Sequence, residues 1–392
     1  MSQWSMDRRA LLAGGAASTL LWATQAAAQT GQTRYGVVEI GASGVKVSAF
    51  SFARGSAREP RGARDRATQS PYERYESSLL GSFNANPIAR DRDQIAETVQ
   101  AVVDSIARLQ REHSVQRANI VVVGSSSVAA TSHSDDLERA LRGRNIELEY
   151  ISAQQEAELI ARWIVPPSRY SSAMVVDIGS GNTKGGFIVG APPSSSFEAF
   201  EMRYGSRSLA ARVDGLAGND RNRWNAALVN AARTEIGCEA QRAVSRNPGF
   251  ASRPRAYLVG GAVWAMTTAM HPGPSVDDSV HWVPLRTRDI AAFREAAFAG
   301  TAFNIEANEG LAARMGRLRA ENPAAAERAR ALIQRVSETI APDQARAGAE
   351  ILSTLAREFR FGQKEALFFS KEGLYAWPSM YLLQRLSIAS SR

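Results

Sequence analysis

Apolar residues recur along this chain in two patterns: short continuous runs, and longer stretches with apolar residues three and four positions apart. The runs predict buried strands at 35–40, 120–123, 173–178 and 256–259, and turns lead from two of them to strands at 45–50 and 185–189. The helical spacing predicts helices around 95–106, 137–141, 154–163, 224–236 and 261–266, and largely helical structure from about 287 onward. Residues 146–151 alternate like a strand, and 53–73 are predicted to form a loop. Strands alternating with helices indicate an α/β fold.

One strand–turn–strand pattern occurs twice in the chain, at positions 39–46 and 177–184. The first copy reads EIGASGVK and the second reads DIGSGNTK. Each copy has an acid at the end of a strand, an Ile-Gly pair, a turn of small residues, and a lysine seven positions after the acid. A linker with two prolines separates the copies at 166–172. The sequence therefore predicts two duplicated domains, 33–168 and 169–385, the second with a helical C-terminal part.

The composition limits the kinds of functional site that this chain can form. Only four of the 47 basic residues are lysines, and two of these, Lys46 and Lys184, occupy matching places in the repeat. A single cysteine and four histidines exclude a disulfide framework and a cysteine-rich metal site. The net charge of +8 is spread along the chain without a compact basic block, which predicts a basic soluble surface and no specific nucleic-acid partner.

The two turns predict an anion site. Turns of small residues expose backbone N–H groups, which bind anions, and an adjacent lysine adds a charge suited to phosphate. The acids at the strand ends, Glu39 and Asp177, are candidates for holding Mg²⁺. The alternative is a pair of ordinary hairpins with incidental lysines, but two matched copies favour a phosphate site between the domains. A Ser-x-x-Lys nucleophile at Ser43 and Lys46 is disfavoured, because Ser43 lies in a hairpin rather than at the start of a helix.

The N-terminus has the pattern of an export signal. Arg8 and Arg9 precede a short apolar stretch, and small residues follow at 26–28. The stretch contains Gly14, Gly15 and Ser18 and is too short to span a bilayer comfortably, which disfavours a membrane anchor. We therefore predict a twin-arginine signal peptide at 1–28 that is removed after transport by the twin-arginine translocase. The mature protein is expected in the periplasm or outside the cell, with no stable membrane insertion; whether it forms a homodimer is left open.

With these motifs, the sequence resembles the exopolyphosphatase and guanosine pentaphosphate phosphatase family of the actin-like, sugar-kinase and Hsp70 superfamily. The resemblance extends over roughly 34–385, and its segments are 122–127, 151–157, 177–183, 202–206, 259–262 and 369–374. It implies two actin-like (ribonuclease H-like) domains with a central cleft. It also implies removal of terminal phosphate from polyphosphate or a related phosphorylated compound, with Mg²⁺.

The resemblance also implies roles for particular residues. Glu156 is the expected catalytic residue that orients the attacking water, and Glu39 and Asp177 are the expected metal ligands. The expected phosphate-binding residues are Gly41, Ser43, Gly44, Lys46, Ser125, Ser126, Gly179, Ser180, Gly181, Asn182 and Lys184. Three positions depart from the family pattern. Glu39 occupies the position of an aspartate, Lys184 occupies the position of a glutamate, and the arginine expected after the 125–127 loop is absent. These departures keep a second function open, a phosphate-binding or sensing protein with weak hydrolysis or none.

Overall fold

The computed structural model describes residues 33–42, 44–52, 75–76, 92–190, 194–218 and 220–390. The predicted signal peptide, the predicted loop at 53–73 and Ser43 lie outside these residues. Among the helices of the described part, none has both the length and the apolar character required to cross a bilayer.

The first half of the chain forms a five-stranded sheet. Its strands are β1 (Thr33–Gly41), β2 (Gly44–Phe52), β3 (Tyr75–Glu76), β4 (Ile120–Gly124) and β5 (Glu149–Tyr150), in the order β3-β2-β1-β4-β5. β1 pairs antiparallel with β2 and parallel with β4. The hairpin, strand β4 and the helix predicted at 137–141 are thus present. Only two residues of the predicted 146–151 strand join the sheet, opposite Val123 and Gly124.

Four helices accompany this sheet: α1 (Arg92–His113), α2 (Ser126–Ala129), α3 (Ser134–Arg142) and α4 (Ala153–Ile164). The apolar side of α1, with Val102 and Leu109, packs into one core with Val38 and Val122 of the sheet. α4 begins at a capping box, in which the Ser152 hydroxyl accepts a hydrogen bond from the N–H of Gln155 and the Gln155 side-chain oxygen accepts one from the N–H of Ser152. This cap fixes where α4 starts and therefore the position of its first turn.

The second half forms a six-stranded sheet. Its strands are β6 (Ala173–Ile178), β7 (Thr183–Val189), β8 (Ser196–Met202), β9 (Arg255–Val259), β10 (Trp282–Leu285) and β11 (Ala366–Ser370), in the order β10-β11-β9-β6-β7-β8. β6 pairs antiparallel with β7 and parallel with β9, and β9 pairs parallel with β11. The series β8-β7-β6-β9-β11 therefore repeats the order and strand directions of the first sheet, which is the structural counterpart of the sequence repeat.

Eleven further helices belong to the described part of the second half. They are α5 (Ser206–Ala217), α6 (Arg221–Ala231), α7 (Cys238–Arg246), α8 (Gly249–Ser252), α9 (Gly261–Met270), α10 (Pro272–Val276), α11 (Thr287–Ala299), α12 (Glu309–Glu321), α13 (Pro323–Thr339), α14 (Pro342–Glu358) and α15 (Ala376–Ser390). A π-helical turn at Ala232–Gly237 connects α6 to α7. The largest core cluster lies between the second sheet and helices α5, α9, α11 and α14.

The two sheets also share a core. One buried cluster combines Val37 and Val123 of the first sheet with Val175 and Tyr257 of the second. Helices α4 and α15 contribute to the same cluster, and Trp377 of α15 is almost fully buried there. α15 also contacts the first half through Glu149, which accepts hydrogen bonds from Tyr381 and Arg385. One helix from each half of the chain, α4 and α15, therefore packs against both sheets and holds them together, with a cleft between them.

Candidate functional site

A cleft of about 130 Å³ opens where the turns of the two hairpins meet. It is lined by residues of both sheets and of the neighbouring helices: Glu39, Gly41, Ala42, Lys46, Ser125, Ser127, Glu156, Ile160, Asp177, Gly179, Ser180, Gly181, Asn182, Lys184, Gly260, Gly261, Trp264, Thr339, Ile340, Gln344, Gly373, Leu374 and Trp377. A larger and more apolar cavity of about 490 Å³ lies beside α13 and contains none of the predicted site residues. The chemistry-bearing residues thus collect in the smaller, polar cleft.

The approach of the loops is close at Gly181. A Cβ atom on this residue would lie 2.5 Å from the Cβ of Ser127 and 3.0 Å from that of Ala42. Carbon atoms in contact are normally about 3.5–4.0 Å apart, so only glycine fits here without movement. The second hairpin therefore touches both the first hairpin and the loop after β4.

In each hairpin the lysine lies directly across from the acid. The register of β1 and β2 pairs Glu39 with Lys46, and that of β6 and β7 pairs Asp177 with Lys184. Residues directly opposite in an antiparallel pair have their side chains on the same face, within contact distance. Lys46 Nζ accordingly lies 3.1 Å from Glu39 Oε1, and Lys184 Nζ lies 3.0 Å from Asp177 Oδ2. The seven-residue spacing thus produces an ion pair in both copies.

Lys184 also contacts the predicted catalytic residue. Its Nζ is 2.9 Å from Glu156 Oε1, and it donates a third hydrogen bond to Asn182 Oδ1 at 3.3 Å. An ammonium group has three N–H donors, so the protein uses all of them. Burial lowers the pKa of Lys184, but the carboxylates of Asp177 and Glu156 raise it by more, and the pKa lies above its ordinary value. Lys184 is therefore charged at neutral pH.

A short network holds the other oxygen of Glu156. Ser126 donates to Glu156 Oε2 through its hydroxyl at 2.7 Å and through its backbone N–H at 3.3 Å. The Ser126 hydroxyl in turn accepts a hydrogen bond of 3.0 Å from Asn182 Nδ2. Two carboxylate oxygens provide about four acceptor positions, and the residues that the structure describes fill three of them at Glu156. One position on Oε1 remains for a water molecule.

The backbone of the second turn is held from behind by α5. The N–H groups of Gly205, Ser206 and Arg207 donate to the carbonyls of Gly181, Gly179 and Ser180. Within the described part of the chain, no acceptor takes the N–H groups of Ser180 and Gly181. The start of α9 also lines the cleft, at Gly260 and Gly261, where unpaired N–H groups are inherent to a helix N-terminus. These N–H groups supply donors for an anion.

The donor set does not suit a divalent metal held directly by the protein. Glu39 and Asp177, the predicted ligands, are each bound by an ammonium group, and so is Glu156. The described residues also contain no cluster of three or more histidine, cysteine, aspartate or glutamate side chains placed to hold a metal ion. A metal ligand role for Glu39 and Asp177 therefore remains a prediction from the resemblance, and the geometry argues against it.

The predicted site residues fall into three groups. Most line the cleft, as expected, but Gly44 and Ser126 are not among the lining residues, and Ser126 lies behind the surface against Glu156. Ser43 lies outside the described residues. The sequence analysis did not assign Ser127, Gly260 or Gly261 to the site, although a glycine pair directly after a buried strand was a usable signal. Gly260 has φ +94°, and a Cβ there would lie 2.5 Å from Asp177 Oδ1. Only glycine therefore allows the backbone after β9 to run this close to the Asp177 carboxylate.

The chain matches no protein-family model, and no curated protein is similar to it in sequence. Solved structures are similar in fold. An exopolyphosphatase from Cytophaga hutchinsonii is 15% identical with a TM-score of 0.61, over 90% of this chain and 98% of that one. The Aquifex aeolicus member of the Ppx/GppA family is 15% identical with a TM-score of 0.54, over 92% and 99%. An exopolyphosphatase-like protein is 16% identical with a TM-score of 0.61, over 89% and 100%. The predicted α/β fold with two sheets is thus confirmed, and the resemblance first noted in the hairpins extends to the fold of nearly the whole chain.

Proposed function

We propose that this protein hydrolyses phosphoanhydride bonds and releases phosphate from polyphosphate or a related phosphorylated compound. The observation that carries the proposal is the meeting of two glycine-containing turns and Glu156 in one polar cleft between the sheets. The exopolyphosphatase named among the structures of the same fold supports the choice of substrate class.

Phosphoryl transfer requires mainly positioning and charge neutralisation, and the cleft supplies both. The N–H groups of Ser180 and Gly181 can hold oxygens of the terminal phosphate. Lys46 is about a third exposed and donates only to Glu39 among the described residues, so it has N–H donors left for a second phosphate. The ammonium of Lys184 has none left and instead fixes Glu156.

Glu156 is the residue proposed to act on water. The remaining acceptor position on Oε1 would take a hydrogen bond from a water molecule and direct its oxygen toward the terminal phosphorus. The new P–O bond forms as the bond to the bridging oxygen breaks, the shortened chain leaves with that oxygen, and the proton lost by the water passes to the solvent. Loss of such a positioned group reduces a rate by about 10²–10⁴-fold.

The test is phosphate release from polyphosphate by the purified mature chain, with Glu156→Gln and Glu158→Gln compared with the unaltered protein. Glu158 lies on the same helix but is paired with Arg162 away from the cleft, so its variant is the matched control. We expect Glu156→Gln to lose at least about 100-fold in turnover while still binding polyphosphate. Equal turnover in all three proteins would refute the role of Glu156.

One observation favours the second candidate, phosphate binding without hydrolysis. Glu156 already accepts three hydrogen bonds, one of them from the Lys184 ammonium, so few acceptor positions are left for an attacking water. A binding protein would hold polyphosphate with the same N–H groups but release no phosphate from it. Absence of release from several phosphoanhydrides, with binding intact, would select this function.

We also propose that the chain is exported by the twin-arginine translocase and acts in the periplasm or outside the cell, on the pattern at 1–28. Replacing Arg8 and Arg9 together with lysine should leave the precursor in the cytoplasm. Fractionation of cells that produce either form tests this, and an unchanged distribution would contradict the proposal.

A further inference from the structure

We infer that Lys184 is the built-in cation of this cleft and occupies the place of a divalent metal ion between Glu156 and Asp177. The phosphate site would then form with no metal bound to these two carboxylates. The inference deepens the proposed function, on which it rests for the identity of the ligand, and it assigns to Lys184 a structural charge rather than contact with the phosphate.

Three side-chain oxygens surround the Nζ atom of Lys184. One nitrogen atom lies 2.9 Å from an oxygen of Glu156 and 3.0 Å from an oxygen of Asp177, residues on α4 and on β6. Asn182 supplies a neutral oxygen at 3.3 Å. Two carboxylates and an amide oxygen around one centre form an oxygen donor set of the kind that hard cations take. Here the centre of that set is the Nζ atom of the chain's own lysine.

The ion pairs of Lys184 with Glu156 and Asp177 are buried. The side chains of Lys184, Glu156 and Asp177 are exposed by only 4%, 5% and 10%. Buried carboxylates require a counter-charge or a metal, since an unpaired buried charge is strongly unfavourable. A metal ion entering this position would have to displace the Lys184 ammonium from its three hydrogen bonds. The displaced ammonium would then repel the metal ion at short range. The two cations therefore exclude one another.

The charged side chains of the cleft nearly balance one another. Glu39, Glu156 and Asp177 carry three negative charges, and Lys46 and Lys184 carry two positive ones. The two lysines cancel all but one of the negative charges, which greatly reduces the repulsion of an anion, and backbone N–H groups and Lys46 can then hold the anion without a bound metal. A divalent ion then reaches the cleft only as a counter-ion on the phosphorylated compound itself.

The experiment measures metal binding directly. Full-length mature protein, freed of metal with EDTA, is titrated with Mn²⁺ in a calorimeter, beside the variants Lys184→Gln and Lys371→Gln. Lys371 contacts the backbone carbonyls of Pro274 and Asp277 outside the cleft. Its variant is therefore the matched control, with the same change of charge at a position away from the candidate site. We expect the unaltered protein and Lys371→Gln to bind no Mn²⁺ up to about 1 mM. Lys184→Gln alone should show one site, with a Kd at least about tenfold below that concentration.

The double variant Lys184→Gln/Glu156→Gln should lose that new site, because one of its two carboxylates is gone. A Mn²⁺ site in the unaltered protein that disappears in Asp177→Asn would overturn the inference. So would a folded Lys184→Gln protein that gains no Mn²⁺ affinity. If that variant does not fold, the titration of the unaltered protein and its Asp177→Asn variant still decides the question. Failure of the proposed function shows separately, as an absence of phosphate release, because the titrations contain no substrate.

Discussion

A methyl group at Gly181 should disturb the cleft more than its size suggests. In Gly181→Ala the new Cβ would lie 2.5 Å from the Cβ of Ser127, about 1 Å closer than carbon atoms normally approach. The second turn and the loop after β4 would therefore have to separate by about that distance. Overpacking of this kind costs about 1–3 kcal/mol of the free energy of unfolding.

The effect on catalysis should exceed the effect on stability. The same movement would displace the N–H groups of Ser180 and Gly181 relative to Glu156, which is held on the Ser126 side by hydrogen bonds. A misplacement of about 1 Å in a catalytic site can reduce turnover by about 100-fold. Phosphate release from polyphosphate and urea-induced unfolding, measured on the same preparation, give the two quantities.

Two further variants make this test specific. Gly316 lies within α12 with no atom within 4 Å of its potential Cβ, so Gly316→Ala should be neutral or stabilising by about 0.5–1 kcal/mol. Ser127→Gly removes the principal clash, and combined with Gly181→Ala it should restore much of the lost stability and turnover. Full activity and unchanged stability in Gly181→Ala, or no recovery in the double variant, would refute the steric reasoning.

Three other predictions concern the charged and polar groups. Lys184→Met leaves Glu156 and Asp177 buried without a counter-charge, and chemical denaturation at neutral pH should show a loss of about 3–5 kcal/mol. Ser126→Ala removes the hydroxyl that bonds both Glu156 and Asn182 and should lower the free energy of unfolding by about 1.5–3 kcal/mol, more than Ser125→Ala, whose hydroxyl contacts only Ser127 among the described residues. Burial, with the charge of Arg253, lowers the pKa of Lys364 from 10.5 to about 8. Between these two pH values the unfolded chain binds more protons than the folded one, so the free energy of unfolding should rise with pH there, by about 1–2 kcal/mol once partial exposure is allowed for. Lys364→Met should reduce that rise in denaturation curves measured from pH 7.5 to 10.5, and part of it should remain because burial also lowers the pKa of Lys371; an identical rise in the variant would contradict the assignment.

The sequence predicted those parts of the fold that local patterns determine. Both hairpins, strands β4 and β9 and helix α4 follow from apolar runs, glycine turns and a cap, all of which act over a few residues. Strand β11 lies in a region predicted as helical, because its place depends on pairing with β9 and β10, far away in the chain. The predicted 146–151 strand is shorter than its alternation suggests, since only two of its residues find a partner on β4.

The candidate site was only partly predictable for the same reason. The seven-residue spacing between acid and lysine contained enough information to place the two directly opposite each other in a hairpin, as Asp177 and Lys184 are. The contact of Lys184 with Glu156 depends instead on how α4 approaches β7, and no spacing along the chain encodes it. The sequence therefore identified the residues of the cleft but not which of them neutralise one another.

The buried cluster shared by the two sheets has a consequence for how the molecule loses its structure. Since Val37 and Val175 belong to one apolar cluster with Trp377, neither half can unfold without exposing the core of the other. We expect heat or denaturant to produce one cooperative transition rather than two. Fragments divided within 166–172 should aggregate when produced singly and recover a folded particle only when refolded together. The two similar sheets would thus depend on each other for their stability and would not behave as separable modules.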